Sequence, residues 1–117
     1  MKDTPLIDPA GKKVVSLLEE TRFAENGIVS RTILITPETR AVLFGFAEGQ
    51  ELTEHTSSSH AYVQVLSGAC RFQFGGVQHD LKTGDLLYMA PNLPHAVKAT
   101  GRFSMLLTLV NPNAKNS

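Results

Sequence analysis

The sequence predicts a single all-β domain, a sandwich or barrel of short antiparallel strands. Three observations carry this. From Gly27 onward, β-branched and apolar runs of strand length alternate with clusters of Gly, Pro, Asn and Ser. One such cluster, Gly75-Gly76, is a two-residue hairpin signal between two alternating segments. The length, 117 residues, allows one modest core and not two.

The elements follow in chain order. Residues 1–11 carry Pro5, Pro9 and Gly11 and are expected to form a loose arm. Residues 12–25 are ambiguous. Val14, Leu17, Leu18 and Thr21 have helical spacing, yet Val14 and Val15 are β-branched, so a short helix and an edge strand both fit. Ile28 to Thr36 reads as a strand stopped by Pro37. Ala41 to Ala47 is an apolar strand with Gly45 as a candidate bulge. Glu51 to His55 is short and polar. Ala61 to Leu66 ends at Ser67-Gly68, and Ala69 to Phe74 meets Val77 to Leu81 across the glycine pair. Lys82-Thr83-Gly84-Asp85 turns the chain into Leu86 to Ala90. A Pro91–Pro94 loop leads to His95–Ala99, and Phe103–Val110 completes about nine strands. In that last strand Phe103, Met105, Leu107 and Leu109 share one face, with Leu106 and Val110 on the other. The domain plan is therefore an arm or extra element at 1–26, a barrel at 27–110, and a frayed tail at 111–117.

The totals exclude several classes of partner. Lys plus Arg equals Asp plus Glu, and no basic run occurs, so no nucleic-acid footprint is present. No stretch approaches the ~20 apolar residues of a membrane helix, and the N-terminus has no apolar signal core. One cysteine, Cys70, excludes an intramolecular disulfide and suits a reducing cytoplasm. It shares parity with Phe72 and Phe74 and reads as an inert core residue.

Two segments carry chemistry. The first runs Gly49-Gln-Glu-Leu-Thr-Glu-His55-Thr-Ser57-Ser-Ser-His60-Ala61-Tyr-Val-Gln-Val-Leu-Ser-Gly68. The second runs Gly84-Asp85-Leu-Leu-Tyr-Met-Ala90-Pro91-Asn92-Leu93-Pro94-His95. Together they resemble the two signature motifs of the cupin superfamily, in order, within residues 41–110. The resemblance implies a small single-domain cupin, a double-stranded β-helix or jelly-roll barrel. It also implies where metal ligands would stand: two histidines and a glutamate from the first motif and one histidine from the second. His55 and His95 occupy two of those positions. Ser57 and Ala61 stand at the other two, so the ligand set is incomplete.

The residues themselves point the same way. His55 and Ser57, two apart on an extended segment, are expected to face one side. A proline-bounded loop fixes the approach of His95. His60 lies one residue before the glutamate position, where a bulge would turn it inward. His79 shares parity with the apolar Leu81. The candidate metal residues are thus His55, His95, His60 and His79, against the plainer alternative of an exposed loop histidine at His60 and a packed one at His79. The acidic residues Glu48, Glu51 and Glu54 read as a solvated strand edge rather than a general base, and Asp85 as a turn residue.

Three functions remain open on the sequence. One is a small-molecule- or metal-binding barrel built around His55 and His95, with one divalent transition metal (Zn, Ni, Cu, Fe or Mn) as cofactor. Another is a metal-dependent enzyme of dioxygenase or isomerase type using the same pocket. The third is a structural or sensory dimer with a vestigial pocket. The expected partners are a small-molecule ligand and a second copy of the chain in a homodimer, with no nucleic acid and no membrane.

Overall fold

A computed structural model of the chain describes residues 4–113. It is an all-β jelly roll. The strands are β1 (Ile28–Ile35), β2 (Thr39–Phe46), β3 (Glu51–His55), β4 (His60–Ser67), β5 (Ala69–Phe74), β6 (Val77–Lys82), β7 (Leu86–Met89), β8 (His95–Ala99) and β9 (Phe103–Val110). Two antiparallel sheets result, ordered β1-β2-β9-β4-β7 and β3-β8-β5-β6. From β2 onward the chain crosses repeatedly between the sheets, with β5–β6 its one within-sheet hairpin. Strand partners are therefore distant in sequence.

The two sheets bury their facing side chains against each other. Phe46, Val63, Phe72 and Phe103 are fully enclosed, and the rings of Phe46 and Phe103 stack with centres 4.6 Å apart. The last strand, β9, lies between β2 and β4, in the middle of the larger sheet. Its inner face carries Phe103, Met105, Leu107 and Leu109 into the core. Ser104, on its other face, is buried and hydrogen-bonds Ser67 at 2.7 Å.

The N-terminal arm is not loose where it is described. Leu6 and Ile7 donate backbone hydrogen bonds to Thr32 and Ile33 of β1, which covers part of that sheet edge. The ambiguous stretch resolves into a one-turn helix, α1 (Leu17–Glu20), capped by the Ser16 hydroxyl. Glu20 pairs with Arg31, and Arg102 lies over the Phe23 ring at 3.8 Å. These contacts fasten the arm to the barrel.

Gly45 is where the arm crosses, and it is not a bulge. It pairs in unbroken register with Val29 and Ser104. A Cβ there would run into the Arg22 carbonyl, so glycine is required for close backbone approach. The register slip of this sheet edge lies instead between Thr32 and Leu34. Residues 1–3 of the expected arm and 114–117 of the expected tail lie outside the described residues.

The β5–β6 hairpin turns on Gly75 (φ 52°) and Gly76 (φ 87°), both in the left-handed region. Nothing lies within 4 Å of a Cβ at either position. Any penalty for a side chain there is purely conformational, about 1–2 kcal/mol per residue. A Gly75→Val, Gly76→Val variant is expected to lower the midpoint of urea unfolding clearly, with Gly75→Asn much milder; an unchanged midpoint for the double variant would refute this turn.

Candidate functional site

His55 ends β3 and His95 begins β8, and the two are direct cross-strand partners. The β3 register slips between Leu52 and His55, which sets His55 opposite His95. The ring centres are 4.3 Å apart and the planes tilt by 60°. His95 is buried while His55 is exposed, so the pair sits at a mouth with one ring inside and one at the rim.

Both rings are oriented by the same local device. Nδ1 of His55 lies 2.8 Å from the Thr53 carbonyl, and Nδ1 of His95 lies 2.9 Å from the Leu93 carbonyl. A carbonyl can only accept, so each Nδ1 carries the proton and donates it. In the neutral ring Nε2 then keeps its lone pair, available to a ligand. The sequence cause is the backbone two residues before each histidine.

The two loops that hold the pair are stitched together. The Asn92 N–H donates to the Ser57 carbonyl at 2.7 Å, with Asn92 in the left-handed region (φ 66°), which asparagine tolerates. The Ser57 hydroxyl accepts from the Ser59 N–H, 3.2 Å away. Ser57 therefore braces the loop.

Below the pair lies a cavity of about 40 Å³, lined by both histidines and by apolar side chains from both sheets, including Phe44, Val63, Met89 and Met105. That volume holds an ion with a water or two. It is far below the ~300 Å³ that an organic ligand of ordinary size needs. A much larger open depression, about 430 Å³, lies on the outer face of the smaller sheet, across Glu51, Lys98, Arg71 and Gln78. It contains neither histidine of the pair. Its charges are laid in cross-strand register, Glu51 opposite Lys98 and Arg71 opposite Asp80, with an Arg71–Asp80 contact of 2.8 Å. This is the pattern of a solvated sheet face.

The other two histidines are not brought to the pair. His60 precedes the inward-facing Ala61 and so points outward. Its Nδ1 lies 2.7 Å from the Tyr88 hydroxyl on the outer surface. His79 does share the face of its cross-strand partner Phe72, but β6 is an edge strand and leaves it exposed. The Phe74 ring stands between it and His95, 5.5 Å from one and 6.5 Å from the other. Among the described residues no three of His, Cys, Asp or Glu form a metal-binding group. Ala61 is buried beside Met89. Met89 and Met105 also line this cavity; strand alternation is the sequence signal for an inward side chain, and nothing local ties either to the histidines.

Cys70 is enclosed in the core. Burial, and secondarily the charges of Asp80 and Asp85, push its thiol up to about 12.

The sequence profile of the Cupin domain family matches residues 42–111. A conserved protein of unknown function from Streptococcus pyogenes superposes with a TM-score of 0.82 at 30% identity, over 97% of this chain and 98% of that one. A cupin superfamily protein from Desulfitobacterium hafniense gives 0.80 at 23% identity, over 94% and 98%. A variant of salicylate 1,2-dioxygenase from Pseudoaminobacter salicylatoxidans gives 0.69 at 18% identity, over 74% of this chain and 27% of that one. The last two likenesses are likenesses of fold. No curated protein matches the sequence. Among the described residues no helix is long and apolar enough to cross a membrane.

Two outcomes follow from this geometry. Long-range ¹H–¹⁵N spectra of the neutral, metal-free protein are expected to show His55 and His95 as Nδ1–H tautomers; Nε2–H signals for both would contradict the hydrogen bonds above. Cys70 is expected to resist thiol reagents at pH 8 until the protein unfolds, because a thiol at about 12 is almost wholly protonated there and is enclosed. Rapid labelling of the native protein would contradict it.

Proposed function

We propose that this chain, which belongs to the Cupin domain family, binds one transition-metal ion at its barrel mouth through His55 and His95. The observation that carries the reading is the pair of Nε2 lone pairs left free by two matched Nδ1 hydrogen bonds, on rings 4.3 Å apart. Imidazole nitrogen at ~2.0–2.1 Å suits zinc, copper and nickel, and the missing carboxylate argues against magnesium, calcium and manganese. When bound, such an ion supplies Lewis acidity at an open coordination position. Two imidazoles are fewer protein ligands than the three usual at catalytic zinc. The reading is therefore of a binding site, and no reaction is assigned to it. The size of the cavity favours an ion over an organic guest inside the barrel.

The proposal includes a homodimer. Leu86, Tyr88 and Tyr62 stay exposed on the outer face along β4 and β7, an apolar surface at a sheet edge. Light scattering at micromolar concentration is expected to return twice the chain mass; the monomer mass would overturn this part.

Metal titration tests the site. Wild type is expected to bind Zn²⁺ or Ni²⁺, and a His55→Ala, His95→Ala variant to lose roughly tenfold or more in affinity. Binding is also expected to weaken in acid, since a proton on Nε2 removes the donor. Equal affinity in both proteins, or none in either for any imidazole-seeking ion, would overturn the reading.

A further inference from the structure

We propose that the ion this mouth selects is cuprous copper, with the thioether sulfurs of Met89 and Met105 completing a shell begun by His55 and His95. The proposal rests on the metal-binding reading above and names its ion. Four side chains that carry a donor atom line one cavity of about 40 Å³: two imidazoles and two thioethers. Both methionines are buried, Met89 with 2% and Met105 with 3% of its surface exposed. That all four share the lining of so small a space is the juxtaposition the proposal uses.

The chain places them there for distinct local reasons. Met89 ends β7 and His95 begins β8, so the two stand at opposite ends of the single loop 90–94. That loop is held by the Asn92–Ser57 hydrogen bond, which also ties in the His55 side of the mouth. Met89 lies opposite Ala61 in the β4–β7 ladder. The short alanine side chain leaves the adjoining inner surface to methionine. Met105 comes from β9, in the middle of the same sheet as β7 and between Phe44 and Val65, while both histidines stand on the other sheet. The donors thus approach from both sheets.

Donor chemistry and charge both select the ion. Thioether sulfur is a soft, uncharged donor that favours Cu(I), while imidazole accepts Cu(I) readily. All four donors are neutral, so the bound ion keeps its full charge in an otherwise apolar cavity. The cost of placing an ion in such surroundings rises with the square of its charge, which favours a monovalent ion over a divalent one. The exposed ring of His55 gives copper a route in, and the buried His95, Met89 and Met105 lie on the inner side of the site.

The test is anaerobic titration with Cu(I) against a chromophoric cuprous chelator, with Zn²⁺ titrated in parallel. Three proteins are compared: wild type, Met89→Leu/Met105→Leu, and His55→Ala/His95→Ala. Leucine keeps the volume close to that of methionine, and circular dichroism checks the fold. The methionine variant is expected to lose roughly tenfold or more in Cu(I) affinity while its Zn²⁺ affinity stays within about twofold. Unchanged Cu(I) affinity in that variant, with wild type still binding metal through the histidines, would overturn the copper assignment alone. Failure of wild type to bind either ion would overturn the metal site itself.

X-ray absorption of Cu(I)-loaded wild type gives a readout that needs no substitution. Sulfur is expected in the first shell, and growth on selenomethionine is expected to replace it with selenium. Besides these two, Met1 is the sole methionine, and Cys70 would stay sulfur, so the exchange identifies the ligands. A first shell of nitrogen and oxygen alone, or sulfur that does not exchange, would refute thioether ligation.

Discussion

The pairing of β3 with β8 is the contact on which the mouth depends. Strands separated by some forty residues meet in one register, and that register makes His55 the partner of His95. A slip of β3 by one residue would turn the His55 ring to the other face of the sheet, away from His95. Two devices hold the register. The slip between Leu52 and His55 sets the phase, and the Asn92–Ser57 bond locks the loops beyond the strand ends. Each ring is then fixed by its own backbone carbonyl two residues earlier. Orientation of the site is therefore carried by main-chain groups and does not call on a carboxylate partner.

Legibility from sequence followed the range of the forces involved. The hairpin at Gly75-Gly76 depends on two residues and their own φ angles, so it was readable at once. Strand segments and the barrel class were readable because alternation and turn residues are local properties. The spacing of the two motifs placed His55 and His95 at corresponding positions by resemblance, and the register brings them together. The orientation of His60 was not readable. It turns on whether β4 begins before or after that residue, and its partner Tyr88 is 28 positions away. For His79 the parity was legible and the exposure was not, since exposure follows from β6 being an edge strand. Gly45 shows the same limit. Its glycine answers to the arm crossing over it, a contact between distant parts of the chain.

These two concave surfaces, the outer depression and the inner cavity, separate by chemistry. The outer depression is broad and studded with opposite charges in register, which neutralise each other across the strands. Pairs of this kind contribute little energy each, and their main effect is to keep the sheet face solvated and its register fixed. The inner cavity is small and mostly apolar, with no carboxylate, lysine or arginine on its lining. The polar part of its lining comes from the two histidines. An open polar surface can exchange many partners weakly, whereas a small apolar space lined by two imidazoles discriminates more by size and charge.

Alanine at position 61 sharpens that discrimination. It stands where the family resemblance implies a glutamate, on the inner face of β4, and it is buried. A carboxylate there would give the cavity a negative charge and so offset the cost of a divalent ion. Without it the barrel keeps an uninterrupted apolar wall of Ala61, Val63, Met89 and Met105. The same substitution thus acts on folding and on the site. It removes an ionised group whose burial would oppose folding when no metal is bound, and it leaves a neutral donor set. A barrel built this way needs no ion to offset a buried carboxylate, and under the proposed metal-binding reading its neutral donors favour soft, weakly charged ions over hard, highly charged ones.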